Sequence, residues 1–252
     1  MNALLRAEAL KLRTLRTPWA LLGVLVVISA GLISLVGILS GTRGNPSLGR
    51  GNLPDLLSVP AMLTCGIVLV LAILSSAGEF RTGTISGSLL VTPRRERFLA
   101  GKVVAAALLG LIFAVTALLS TYAATVVVVL ARDLQVDLVS PGAARTVLGM
   151  AVAAGLMGAA GAALGIAVRS QTIAVVAALV WWFVLEGVIP GLVREPELAK
   201  YLPIAALGSL AHAGSPTASG AFGPGTGALL LTGYVAALVL AGTAMLRRRD
   251  VN

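Results

Sequence analysis

The sequence predicts an all-α integral membrane protein of six transmembrane helices in a single domain covering 1–252. Three observations carry that expectation. Hydrophobic residues fill 58% of the 252 positions and charged residues 12%, about half the charged share of a soluble domain. Six stretches approach the roughly 20 apolar residues needed to cross about 30 Å of hydrocarbon. Basic residues gather in short segments beside those stretches, where they meet head groups and fix orientation. No polar stretch is long enough to build a separate soluble core.

In chain order, segment 1–17 reads as an amphipathic helix lying in the membrane interface. At about 100° per residue, Leu4, Leu5, Leu12 and Leu15 share one sector, with Arg6 and Arg13 roughly opposite. Glu8 falls inside the leucine sector, one turn from Lys11. The amphipathicity is therefore imperfect. Either the segment is a plain basic anchor, or it also touches a partner with Glu8 paired to a base. A signal peptide is the competing reading of this start, but the apolar run that follows is too long for a signal core.

The six spans are expected at 18–40, 57–77, 103–130, 147–168, 172–193 and 226–246. Lys and Arg favour cytoplasmic loops. With both termini inside, thirteen bases fall on the cytoplasmic side and six outside, so both termini are expected in the cytoplasm. The outer segment 194–225 is rich in Pro and Gly and holds an apolar run at 201–213 too short to cross. It is expected to form a re-entrant or interfacial element. No internal repeat supports an inverted-repeat transporter.

The net charge of +9 raises the question of a nucleic-acid partner, and the placement of the bases beside apolar runs answers against one. With a single cysteine, Cys65, and a single histidine, His212, the chain offers no internal disulfide, no clustered zinc site and no neighbouring Cys/His pair. No cofactor or metal is expected on it.

The loop at 78–102, GEFRTGTISGSLLVTPRRERFLAGK, is too charged to face lipid and too long for a turn. Glu79, Phe80 and Arg81 set a charged pair around an aromatic, and Gly83 permits a sharp bend. Thr92 and Pro93 break the chain before Arg94 begins a basic helix entering the third span. A short helix projecting into the cytoplasm fits this pattern, as does a solvated positive-inside loop. Glu186, the one acid expected within the bilayer, is a candidate for a pathway or a structural role. Gly155, Gly158, Gly161 and Gly165 give the fourth span a small-residue surface for close helix packing. Trp181 and Trp182 fall near the middle of the fifth span and suit packing.

These residues resemble the type-2 ABC transporter permeases, membrane subunits of ATP-driven exporters. The resemblance rests on Glu79, Phe80, Arg81, Gly83, Thr84, Pro93, Arg94 and Lys102 around the loop, and on Glu8, Lys11 and Leu12 at the start. Trp181, Trp182, Glu186, Tyr201, Leu202, Pro203, Arg248, Arg249 and Asp250 extend it along the chain. It implies that the loop is a coupling element docking on a separate ATP-binding subunit through Glu79, Phe80, Arg81, Gly83, Thr84 and Arg94. It further implies that a second permease chain, identical or related, completes the pathway, and the excess of Arg over Lys with abundant Ala and Gly points to a bacterial plasma membrane. The chain itself is then no enzyme and ATP binds the partner, since no GxxxxGK[ST] phosphate loop occurs and the Gly101–Lys102 pair is followed by Val103. An ATP-independent carrier and a non-transporting membrane scaffold or assembly factor are the alternatives.

Overall fold

A computed structural model of the protein describes residues 2–42, 48–49, 51–84, 95–192, 199–212 and 222–248. Among them the regular elements are all helical. Helix α1 covers Asn2–Thr14 and α2 covers Arg16–Leu39. The short α3, Leu53–Ser58, precedes α4, Ala61–Arg81. The long α5 covers Arg95–Arg132 and α6 covers Pro141–Val168. Helix α7, Gln171–Val180, passes through a π turn at Trp181–Leu185 into α8, Glu186–Leu192. Last come α9, Pro203–Ala211, and α10, Pro224–Arg248. Six stretches are long and apolar enough to cross a membrane: Arg16–Leu39, Leu53–Arg81, Glu96–Arg132, Pro141–Val168, Gln171–Ile189 and Pro224–Met245. The chain thus has the build of a multi-pass membrane protein.

Local chemistry sets several of these boundaries. Leu15 is extended, at φ −79° and ψ 135°, so α1 and α2 are separate helices. Pro18 lies in the first turn of α2, where its missing N–H has no intrahelical acceptor to lose. The second span is broken rather than continuous. Pro60 cannot donate a backbone hydrogen bond, and the chain restarts as α4 with the Pro60 carbonyl accepting from the Thr64 N–H at 2.9 Å and from Thr64 Oγ1 at 2.8 Å.

The loop expected at 78–102 is shorter in the structure, because helix continues through its charged ends. Gly78–Arg81 closes α4, and Arg95–Lys102 opens α5. At 1.5 Å per residue the 38 residues of α5 reach about 57 Å, well beyond the hydrocarbon. Arg94 and the rest of 85–94 lie outside the described residues, as do 193–198, 213–221 and 249–252.

Consecutive spans run antiparallel, so α1, the starts of α2, α5 and α7 and the ends of α4, α6 and α10 collect at one end of the bundle, here called the basic end. Helix α6 forms its centre, packing on α4, α5 and α10. Buried positions make up 67% of its apolar window and only 11% of that in the span containing α7, which leaves the latter as a peripheral wall. The small-residue surface of α6 explains its central place. A Cβ on Gly158 would overlap the Ala106 carbonyl of α5, and one on Gly161 would overlap the Leu69 carbonyl of α4. Only glycine lets these backbones touch. Ala153, Ala154, Ala162 and Ala163 are fully buried along the same helix.

Candidate functional site: a four-charge cluster at the basic end

Two acids and two bases, distant in sequence, meet where α1, α4 and α5 converge. Helix α1 supplies Glu8 and Lys11 from successive turns, α4 supplies Glu79 from its last turns, and α5 supplies Lys102 from its early turns. Lys102 Nζ lies 2.6 Å from Glu8 Oε1 and also donates to Glu79 Oε1. Lys11 Nζ reaches the same Glu79 oxygen at 3.0 Å and donates to the Ser75 carbonyl at 3.0 Å. The Lys102 side chain is 2% exposed, those of Glu79 and Glu8 10% and 11%, and that of Lys11 30%. The second Glu79 oxygen, Oε2, is buried and has no hydrogen-bond partner among the described residues.

Burying one such charge alone costs several kcal/mol, about 3–5 when a partner is removed. The cluster escapes that cost by neutrality, two positive groups against two negative, and by charge-assisted hydrogen bonds that are stronger than neutral ones. Its arrangement alternates: Lys11, Glu79, Lys102, Glu8. It therefore ties the first helix to two membrane-spanning helices that are otherwise far away along the chain. The imperfect amphipathicity of α1 has its reason here, because Glu8 turns toward Lys102 while Arg6 and Arg13 stay exposed.

The residues following Glu79 divide into an anchored and an open group. Phe80 packs on the small cluster of Phe98, Leu99 and Ile166, and the Arg169 guanidinium stands 5.5 Å from its ring centroid, within cation–π range. Arg169 also donates to the Met245 carbonyl at 2.8 Å, joining the α6 end to α10. It holds φ +60°, an uncommon conformation for a residue with a side chain. Arg81, Thr82, Gly83 and Thr84 are exposed. Gly83 takes φ +69°, the left-handed turn that the sequence reserves for glycine. The Thr82 hydroxyl bonds the Gly78 carbonyl at 3.0 Å, closing α4, and lies 3.0 Å from Thr84 Oγ1.

Glu186 stands apart from this cluster. Its Oε1 accepts from Trp181 Nε1 at 3.0 Å and from the Ile204 N–H at 2.9 Å. Trp181 opens the π turn and Ile204 lies in the first turn of α9, whose leading N–H groups lack intrahelical acceptors. The carboxylate thus caps α9 and fixes it to the fifth span. Helix α9 is buried through Ala206, Leu207, Leu210 and Ala211, and Tyr234 Oη donates to the Tyr201 carbonyl at 2.7 Å just before it. Trp182 packs beside Gly66 of α4.

Sequence reasoning singled out Glu8, Lys11, Glu79, Phe80, Arg81, Gly83, Thr84, Arg94 and Glu186, of which Arg94 lies outside the described residues. The structure brings the first three together with Lys102, sets Phe80 beside them, leaves 81–84 at the surface and puts Glu186 elsewhere. It adds Arg169, Ser75 and Ile204. Arg169 had a signal in the sequence, as the lone base between two apolar spans; the carbonyl of Ser75 and the N–H of Ile204 had none. Among the described residues no group of three His, Cys, Asp or Glu side chains is placed to hold a metal. The cluster has acids and bases locked in mutual pairs, an arrangement suited to joining helices rather than attacking a substrate.

No family model matches the chain, and no curated protein matches its sequence.

Proposed function

We propose that this chain is the membrane-spanning subunit of an ATP-binding cassette exporter of the type-2 permease kind, with both termini in the cytoplasm of a bacterial cell. The observation that carries the reading is the meeting of Glu8, Lys11, Glu79 and Lys102. These are four of the residues on which the resemblance rests, and they hold α1, α4 and α5 in contact beside the exposed turn 81–84. A separate ATPase docks at 81–94, and its nucleotide-driven movement passes through Glu79 and Lys102 into α4 and α5. The thirteen-to-six distribution of bases favours the basic end as the cytoplasmic one. ATP is bound by the partner, because the sequence lacks a phosphate loop. A second permease chain, identical or related, shares the pathway, and the lipid-facing wall of α2, α7 and α8 offers it an apolar surface.

The test is purification of the tagged chain from its native host membranes in mild detergent, followed by identification of associated proteins and a transport assay of Arg81→Glu. Recovery of an ATP-binding cassette subunit, reduced together with transport by Arg81→Glu, supports the reading. Transport that persists without any ATPase points to an ATP-independent carrier; absence of both transport and ATPase points to a scaffold.

A further inference from the structure

A cleft of about 540 Å³ opens beside the charge cluster, between α1 and the start of α2 on one side and α4 and the start of α7 on the other. Its volume lies in the range of small-ligand sites. Leu71, at 4% exposure, and the half-buried Leu74 give it an apolar floor, while Leu15, Lys11 and the exposed Arg81 and Thr82 complete its lining. The cleft has room because α2 leans on α5 and scarcely touches α4.

We infer that this cleft is a binding site for an anionic phospholipid, the phosphate at Lys11 and Arg81 and the first acyl carbons on Leu71 and Leu74. Charge complementarity names the occupant. The cluster is neutral within itself, with Lys11 paired to the buried Glu79, so the exposed Arg81 leaves the cleft lining with one net positive charge. Lys11, the most exposed member of the cluster, stands beside it as a further hydrogen-bond donor. The level is also that of head groups. The apolar run of α4 ends at Ala77, and Gly78, Glu79, Phe80 and Arg81 follow, so a ligand on Leu71 and Leu74 has its tail in hydrocarbon and its phosphate where the charges begin. Basic pockets between spans bind anionic head groups in this way. A free phosphate would use the rim and leave the floor unfilled. Because Lys11 belongs to both the cleft and the cluster, lipid at this site bears on the seating of α1. The inference needs the chain only to be membrane-spanning and does not depend on an ATPase.

The experiment is native mass spectrometry of the detergent-solubilised full chain titrated with phosphatidylglycerol and phosphatidylcholine of equal acyl length. One net positive charge near the phosphate predicts a preference of about fivefold for phosphatidylglycerol, falling to near parity in Arg81→Gln. Leu74→Trp, which fills the floor, is expected to lower the binding of both lipids and leave their ratio unchanged. The ratio is read within one spectrum and is independent of how much protein folds. Equal affinity for the two lipids, or an Arg81→Gln ratio equal to wild type, overturns the inference. Displacement of phosphatidylglycerol by glycerol 3-phosphate at equal concentration overturns it as well, by showing a site for a free phosphate.

Discussion

Two carboxylates organise opposite parts of this bundle and do so by different chemistry. Glu79, at the basic end, is held by the charges of Lys11 and Lys102, which come from helices 68 and 23 residues away. Glu186 is held by neutral donors, the Trp181 indole five residues before it and the Ile204 N–H eighteen residues after. The first is a long-range clasp whose members are costly to leave unpaired; the second is a local bracket at a helix terminus. A charged clasp between apolar helices loses most when its shared acceptor goes, while a bracket made of neutral donors tolerates a change of acceptor. This difference marks the basic end as the place where displacing one group disturbs several helices together.

Substitutions can break the contrast in graded steps. Glu79→Ala removes the shared acceptor of two lysines and is expected to cost about 3–5 kcal/mol, read as loss of stability in detergent unfolding. Glu8→Ala leaves Lys102 with Glu79 and should cost less, about 1–3 kcal/mol. Its main sign is predicted to be faster proteolysis at the α1–α2 junction, which an uninvolved Glu8 would not change. In a double-mutant cycle of Glu8→Ala with Lys102→Met, a coupling energy of about 1–3 kcal/mol is expected, and a value near zero would remove that arm of the clasp. Exchanging the charges, Glu79→Lys with Lys102→Glu, should fail to restore stability, because the new lysine faces Lys11 and the new glutamate faces Glu8.

At the other carboxylate the effects are smaller. Glu186→Ala leaves the Ile204 N–H without its cap and is expected to cost about 0.5–2 kcal/mol. Glu186→Gln keeps an oxygen acceptor for both donors, so a loss no greater than about 0.5–1.5 kcal/mol is expected. Full transport by Glu186→Gln in a normally folded protein would confine Glu186 to its structural part. A loss in Glu186→Gln matching that of Glu79→Ala would erase the distinction between clasp and bracket.

Much of the fold was legible because the bilayer imposes a length, and runs of apolar residues report that length directly. The glycines of α6 announced a close approach, and the structure spends Gly158 and Gly161 on carbonyls of two neighbouring helices. What hydropathy missed are features that hydropathy does not encode. The extension of α5 back to Arg95 follows helical geometry rather than apolarity, and the break at Pro60 turns on one missing N–H. At the site, residue types showed which charges were unusual, Glu8 in a leucine sector above all. They did not show which charges meet, because Lys102 pairs across 94 residues with Glu8 and such a partner leaves no local pattern. For Glu186 the partner is a backbone N–H, which every residue but proline carries, so composition could not single out Ile204.

The central proposal is that a motor subunit docks at 81–94, beside the Glu8, Lys11, Glu79 and Lys102 cluster that holds α1, α4 and α5 together. Its most direct measurement is quantitative co-purification of wild-type chain and Glu79→Gln from native membranes, with each sample first shown to be folded by its detergent melting curve. Wild type is predicted to retain an ATP-binding cassette subunit in near-equal amount, and Glu79→Gln to retain far less. Equal recovery in the two samples, or wild-type chain that carries no such subunit, would contradict the account.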